Sequence, residues 1–468
     1  MKETAQTQAG LDALKTQLPA RAWTTQADII APHLTEWRDK YFGHTPIMLT
    51  PRSTQEVSDA VKICAQHGLK IVPQGGNTGL VGGQTPMGEV LLSLRKMSSV
   101  RAVNPTNNSI IIEAGATLAL LQQAADKAGR KFPLSLASEG SCTVGGVLST
   151  NAGGVHVLKY GTTKDLVFGV EAVLADGRIF NGLTDLRKDN TGYDLNRLFL
   201  GAEGTLGIIT AASLKLFPKP KYVQRAMAGL KSPGDALAIL ELARGNSALA
   251  MFEVIPAIGM DLVTTHIEGQ RYPFEEKHSW FAVIDWEVGS SDAGLAMAEH
   301  VLGTALDKDL AQDVIIAQSD TQAAQLLALR ENISAGQKYL GGSVKLDITV
   351  PIFDIPAFLA KADAAILKAV PGARPVAFGH FGDGNIHYNI GRPEAMETEE
   401  FLARWDELSN IAFDVVESFG GSISAEHGIG IMKKHDLVKR SDSVKLSLLK
   451  AVKNALDPDN IMNPRVLI

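Results

Sequence analysis

Five glycines fall within the eleven residues 73–83, PQGGNTGLVGG, directly behind the apolar run LKIV at 69–72. Glycine loses more backbone freedom on folding than any other residue, so such a cluster is costly unless its conformations are used. Glycines permit positive φ and let successive amide N–H groups converge into an anion-binding nest, which a diphosphate fits. The plainer reading is a flexible surface loop. Two further motifs favour the first. Residues 140–161, GSCTVGGVLSTNAGGVHVLKYG, again combine small residues with donors, namely Ser141, Thr143, Ser149, Thr150 and Asn151. Residues 201–210, GAEGTLGIIT, repeat the theme. None of the three is the G-x-G-x-x-G fingerprint of a nicotinamide-type Rossmann fold, and no Walker A loop is present.

The surrounding pattern is α+β. Short apolar runs at 47–50, 69–76, 89–94, 109–115, 167–177 and 207–218 alternate with turns. Helical spacing occupies 55–67 and 118–128. Residues 1–45 read as a polar, helix-prone lead-in, 46–221 as the glycine-loop domain, 222–425 as a second domain and 426–468 as a C-terminal segment. In the second domain, amphipathic helices at 234–244 and 355–370 and strands at 281–288 and 343–352 suggest an antiparallel sheet with helices covering one face. A chain of 468 residues suits two or three such domains. The net charge of −6 argues against nucleic-acid or anionic-membrane binding. Two cysteines, Cys64 and Cys142, suggest a reducing compartment, and the N-terminus lacks the features of a targeting peptide. No apolar stretch approaches the ~20 residues of a spanning helix, so a cytoplasmic protein is expected, with loose peripheral association at a membrane as the alternative.

P-x-G-G-x-T-G-L, then CTVGGVLSTNAGG, LADG and EGTLGIIT, in that order, resemble the FAD-binding domain of the vanillyl-alcohol oxidase/p-cresol methylhydroxylase superfamily. The resemblance covers nearly all of 45–220 and implies a two-subdomain FAD-binding domain. It implies that the loop of Pro73, Gly75, Gly76, Asn77, Thr78, Gly79 and Leu80 wraps the FAD diphosphate. Along the flavin and ribityl chain it implies Pro133, Gly140, Thr143, Gly145, Gly146, Ser149, Asn151 and Gly153, with Gly207, Ile208 and Ile209 near the nucleotide. Some members tether flavin covalently to a histidine in the first loop. Asn77 stands there in this chain, so non-covalent FAD is expected.

The C-terminal half carries AFGHFGDGNIHYNI (377–390) and SISAEHGIGIMKK (422–434). His380 and His387 flank the turn Gly382-Asp383-Gly384, and a strand–turn–strand brings two imidazoles together where a glycine-broken helix could not. Two histidines with a carboxylate, Glu426 being the nearest, form an ordinary ligand set for Zn²⁺. Satisfied core histidines and a solvated acid are the bland alternative. G-H-x-G-D-G-N-x-H and A-E-H-G-x-G resemble the substrate domain of the D-2-hydroxy-acid dehydrogenase branch of the same superfamily. That resemblance implies His380, His387 and Glu426 as ligands of a divalent metal, Asn389 as a substrate contact and His427 as catalytic base and substrate contact. It also implies that 456–464, LDPDNIMNP, returns to the flavin domain with Asn463 near the isoalloxazine.

Arg330, Ser334 and Lys345 lie within LALRENISAGQKYLGGSVKLDITVP (327–351), with Arg330 and Ser334 one helical turn apart. An Arg fork with a Lys suits a second, distal carboxylate; the alternative is a solvated helix face paired to Glu331 or Asp347. The pattern resembles that of D-2-hydroxyglutarate dehydrogenases, with Ser334 where Thr is more usual. The expected reaction is oxidation of a dicarboxylic hydroxy acid, D-2-hydroxyglutarate, with electrons passing to a separate acceptor such as electron-transfer flavoprotein or a quinone. D-lactate, glycolate or D-malate oxidation is the alternative within the branch. A flavin reductase acting on peptidoglycan precursors and a non-catalytic electron-relay subunit are the rivals outside it. A homodimer is expected on general grounds only.

Overall fold

The computed structural model describes residues 2–468 and divides into two compact units. The first comprises the chain up to Gly153, Gly161–Lys219 and Glu426–Ile468; the second comprises Gly154–Tyr160 and Pro220–Ala425.

In the first unit, strands Met48–Leu49, Val90–Ser93 and Ile71–Gln74 pair in parallel, with Trp23–Thr24 antiparallel at one edge. Every residue of Val90–Ser93 is buried, as a central parallel strand covered on both faces requires. Helix Thr54–His67 starts where the Ser53 hydroxyl accepts the Glu56 amide and stops at Gly68, φ 67°. It buries Val57, Ala60, Val61 and Cys64 at helical spacing. Five antiparallel strands form the other main sheet, in the order Val100–Asn104, Ser109–Glu113, Ile208–Lys215, Val167–Val173, Ile179–Asn181. The C-terminal segment adds to the free side of Ile71–Gln74: the Ile71 amide donates to Ile461 and the Asn463 amide donates to the Ile71 carbonyl.

In the second unit, four antiparallel strands run in the order Leu249–Pro256, Trp280–Val288, Tyr222–Leu230, Asp313–Ile316. Helices cover both faces of this sheet, not one. Ile239, Leu240, Val301 and Leu302 cluster with Phe252, Ile284 and Trp286, while Met260, Val263, Leu326 and Leu329 cluster with Met251, Ile255 and Val283. The reason is legible in Leu249–Pro256, whose eight residues are all buried. Each large apolar side chain removed from water there contributes about 1.5–3 kcal/mol. The remaining sheet is a three-stranded antiparallel one, Ser343–Thr349, Asn385–Gly391 and Arg374–Phe378, with Asn385–Gly391 in the centre. A two-way backbone bridge between Val254 and Gly379 joins the two sheets of this unit.

Candidate functional site

Within the first unit, the glycine motifs pack backbone against backbone. A Cβ on Gly75 would stand 2.0 Å from the Thr143 hydroxyl, and one on Gly76 would stand 2.0 Å from the Ser141 carbonyl. These two glycines are therefore required by the approach of the second motif to the first. Asn77 takes a left-handed conformation, φ 58°, and its side-chain amide donates to the carbonyls of Pro32 and Thr35. Thr143 caps the seven-residue helix Val144–Thr150 without its hydroxyl bonding the helix. Gly145 abuts Ala114, Asn151 accepts the Lys164 amide, and the Ser149 carbonyl accepts the Glu203 amide. Gly207 and Ile209 lie at the start of Ile208–Lys215, where Ile209 is buried. Asn463 donates to the carbonyls of Gly83 and Glu203, so the tail is tied to the first and third motifs. Three buried polar atoms in this cradle have no protein partner: Thr143 Oγ1, Asn77 Oδ1 and Asn463 Oδ1. Burying such atoms unbonded costs about 1–3 kcal/mol each, and a nucleotide rich in donors and acceptors fits them.

In the second unit, strand periodicity sorts the three-stranded sheet into two faces. Val344, Leu346, Ile348, Ile386, Tyr388 and Ile390 enter the apolar core. On the opposite face Lys345 stands across from Asn389, Asp347 across from His387 and Thr349 across from Asn385. A tight turn with Gly384 at φ 90° follows Gly379 and sets His380 beside this face. The His380 and His387 rings lie edge to face, 5.3 Å between centroids. His387 Nδ1 is 3.8 Å from the buried Asp347 carboxylate, which also accepts from Asn385 at 2.8 Å. Asn389 accepts from the Leu346 amide and donates to Gln337.

Arg330 and Ser334 do not share one unbroken helix. Helix Asp320–Glu331 ends at Asn332, a new turn Ile333–Gly336 begins, and Ser334 is exposed. Arg330 itself is buried and pairs with neither Glu331 nor Asp347. Its Nε donates to Glu253 at 2.5 Å, and its guanidinium lies over the Phe378 ring at 4.9 Å. The other oxygen of Glu253 meets His380 Nδ1 at 2.5 Å. Burial pushes the Glu253 carboxyl up, but His380 and Arg330 more than offset this and hold it at about 2. Glu253 had no part in the sequence reading, yet it has a signal: it is the one charged residue in the otherwise apolar strand LAMFEVIP.

Glu426 and His427 open the last segment of the first unit, with His427 Nε2 4.0 Å from Glu426 Oε1. Their loop is held by Glu203 of the third glycine motif, whose two oxygens accept the amides of Ile429 and Gly430 at 2.8 Å each. Each unit offers a carboxylate and an imidazole of the kinds that hold a metal ion, Asp347 with His387 in the second and Glu426 with His427 in the first. Imidazoles with carboxylates are an ordinary set for a divalent cation such as Zn²⁺. Of the expected ligands, His387 belongs to the second unit's pair and Glu426 to the first unit's. His380, bound at Nδ1 to Glu253, could ligate only through Nε2.

Residues 219–467 match the family described as FAD linked oxidases, C-terminal domain, and residues 45–182 match an FAD binding domain. The chain belongs to the FAD-linked oxidase family. D-2-hydroxyglutarate dehydrogenase of Xanthomonas citri pv. viticola is 33% identical over 97% of this chain and 95% of its own length. The Bos taurus protein named D-2-hydroxyglutarate dehydrogenase, mitochondrial, is 37% identical over 97% of this chain and 82% of its own. The fold is that of p-cresol methylhydroxylase, whose substrate-bound crystal structure superposes with a TM-score of 0.77 at 19% identity, covering 98% and 96% of the two chains. This FAD-linked oxidase is thus an oxidoreductase. Among the described residues no helix is long and apolar enough to cross a membrane.

Proposed function

We propose that this FAD-linked oxidase converts D-2-hydroxyglutarate to 2-oxoglutarate with the help of a divalent metal, passing electrons to a separate acceptor such as electron-transfer flavoprotein or a quinone. The observation that carries the choice of substrate is the state of Arg330. Among the described residues its only hydrogen-bond partner is Glu253, reached through Nε, so the η nitrogens can fork a second carboxylate. The relatives named D-2-hydroxyglutarate dehydrogenase support the same choice.

FAD, held non-covalently because Asn77 replaces a tethering histidine, would accept the C2 hydride at N5. A divalent metal on His380, His387 and Glu426, with Asp347 as a further donor, would neutralise the C1 carboxylate and acidify the C2 hydroxyl; the ligand types favour Zn²⁺. His427 takes the hydroxyl proton onto its imidazole, assistance worth about 10²–10⁴ in rate. Arg330 and Lys345, with the Ser334 hydroxyl, bind the distal carboxylate, and Asn389 contacts the substrate beside them. Asn463 borders the flavin ring. A reducing compartment, the cytoplasm, suits two buried thiols.

Two variants test the assignment. His427→Ala should keep FAD bound and abolish its reduction by D-2-hydroxyglutarate. Lys345→Met should lose the preference for D-2-hydroxyglutarate over D-lactate; a preserved preference would remove Lys345 from distal-carboxylate recognition, whereas wild-type enzyme that favours D-lactate, glycolate or D-malate would overturn the choice of substrate.

A further inference from the structure

Glu253 is wholly buried in the second unit and touches two residues to which the proposed function gives different tasks. Its Oε1 meets His380 Nδ1 and its Oε2 accepts from Arg330 Nε, both at 2.5 Å. The position is fixed by backbone. Glu253 is central in Leu249–Pro256, and the bridge from its neighbour Val254 to Gly379 delivers His380 to it. Phe378, across the sheet from His387, closes the other side by stacking under the Arg330 guanidinium.

A carboxylate accepting from His380 Nδ1 selects the tautomer protonated there, which directs the Nε2 lone pair away from Glu253. Outer carboxylates of this kind orient metal-binding histidines and raise their basicity. The same carboxylate uses the Nε edge of Arg330 and neutralises a charge that would be expensive alone in the interior. With Nε engaged, the guanidinium plane is fixed and its η edge is presented for a planar ligand.

We propose that Glu253 is a positioning residue shared by metal capture and distal-carboxylate recognition, through its simultaneous contacts to His380 and Arg330. This rests on the function proposed above. It predicts that one isosteric change weakens two separable properties. In the FAD-loaded enzyme, Glu253→Gln should raise the dissociation constant for Zn²⁺ about 10–100-fold. At saturating Zn²⁺, KM for D-2-hydroxyglutarate should stay raised, about tenfold or more, if a charge-assisted contact worth about 1.5–3 kcal/mol is misaligned. KM for D-2-hydroxyvalerate, which has the same carbon chain but lacks the distal carboxylate, should return to the wild-type value. Glu253→Asp, which keeps the charge, should recover part of both losses.

The wild-type enzyme supplies a readout independent of any variant's folding. Nitrogen-15 spectra of its histidines in the Zn²⁺-loaded state should show His380 protonated at Nδ1. A proton on Nε2, an unchanged Zn²⁺ affinity in Glu253→Gln, or equal KM changes for both substrates at saturating Zn²⁺ would overturn the proposal. If wild-type enzyme oxidises no D-2-hydroxy acid, the function reading fails by itself, and the Zn²⁺ affinity and histidine tautomer still decide the role of Glu253 in metal capture.

Discussion

Removing the Glu203 carboxylate should loosen the loop that carries His427 without dismantling the fold around it. Glu203 accepts the amides of Ile429 and Gly430 at 2.8 Å each, and a hydrogen bond to a charged group is worth about 1.5–3 kcal/mol. Burial pushes the Glu203 carboxyl up, and the two amides with Lys433 offset only part of that. A neutral replacement therefore relieves a desolvation cost while it removes bonds, so global stability is a poor readout. Local exchange is the direct one. In Glu203→Ala each of the two amides should lose about 1.5–3 kcal/mol of protection, or about 10–150-fold in exchange rate. Glu203→Gln retains one acceptor oxygen and turns an NH₂ toward the other amide, so one of the two should stay protected. Hydrogen exchange resolved to single residues across 428–434 measures this. Unchanged protection of both amides in Glu203→Ala would refute the reasoning.

Two further outcomes follow from the first unit. Thr143→Val removes a buried hydroxyl that has no protein partner, so the apoprotein should become more heat-stable while FAD binds more weakly, about 5–150-fold for a loss of about 1–3 kcal/mol; FAD titration of the apoprotein checks it, and unaltered affinity would remove Thr143 from the cradle. Burial pushes the Glu171 carboxyl up, but bonds from Arg101, Thr54 and Thr210 outweigh this and hold it below its ordinary value of 4.5. The stability it provides is thus complete above pH 4.5 and lost as pH falls through the folded value. Acid titration of unfolding should be shallower in Glu171→Gln, and an identical acid limb would refute the contribution.

Much of the fold could be read because local chemistry and tertiary demand agree. Ser53 and Thr117 cap helices where the spacing expects helices to begin, and the apolar runs at 109–113 and 167–173 form largely buried strands. The ordered glycine motifs point to the FAD-binding fold for a reason that the structure refines. Gly75 and Gly76 leave space for the second motif's own Thr143 and Ser141, so the spacing between motifs encodes chain packing as well as ligand approach. Where a segment is apolar on both faces, period is lost. Leu249–Pro256 was therefore invisible as a strand, and with it the partner of Arg330. Helical spacing also does not show that the helix carrying Arg330 stops at Glu331 and that Ser334 lies in a separate turn. The pairings of Glu253 and Glu203 span 77 and 226 residues of sequence. Only the oddity of an acid within an apolar strand, or among glycines, hinted at them.

The most direct measurement of the central claim is anaerobic bleaching of the bound flavin, followed by stopped flow over D- and L-hydroxy acids of one and two carboxylates, before and after chelation. D-2-hydroxyglutarate should reduce the flavin fastest, its L-enantiomer should not, and chelation should stop reduction while leaving FAD bound, with Zn²⁺ restoring it. Equal reduction by D-lactate and D-2-hydroxyglutarate, or full reduction in the presence of chelator with the metal shown to be gone, would contradict the account.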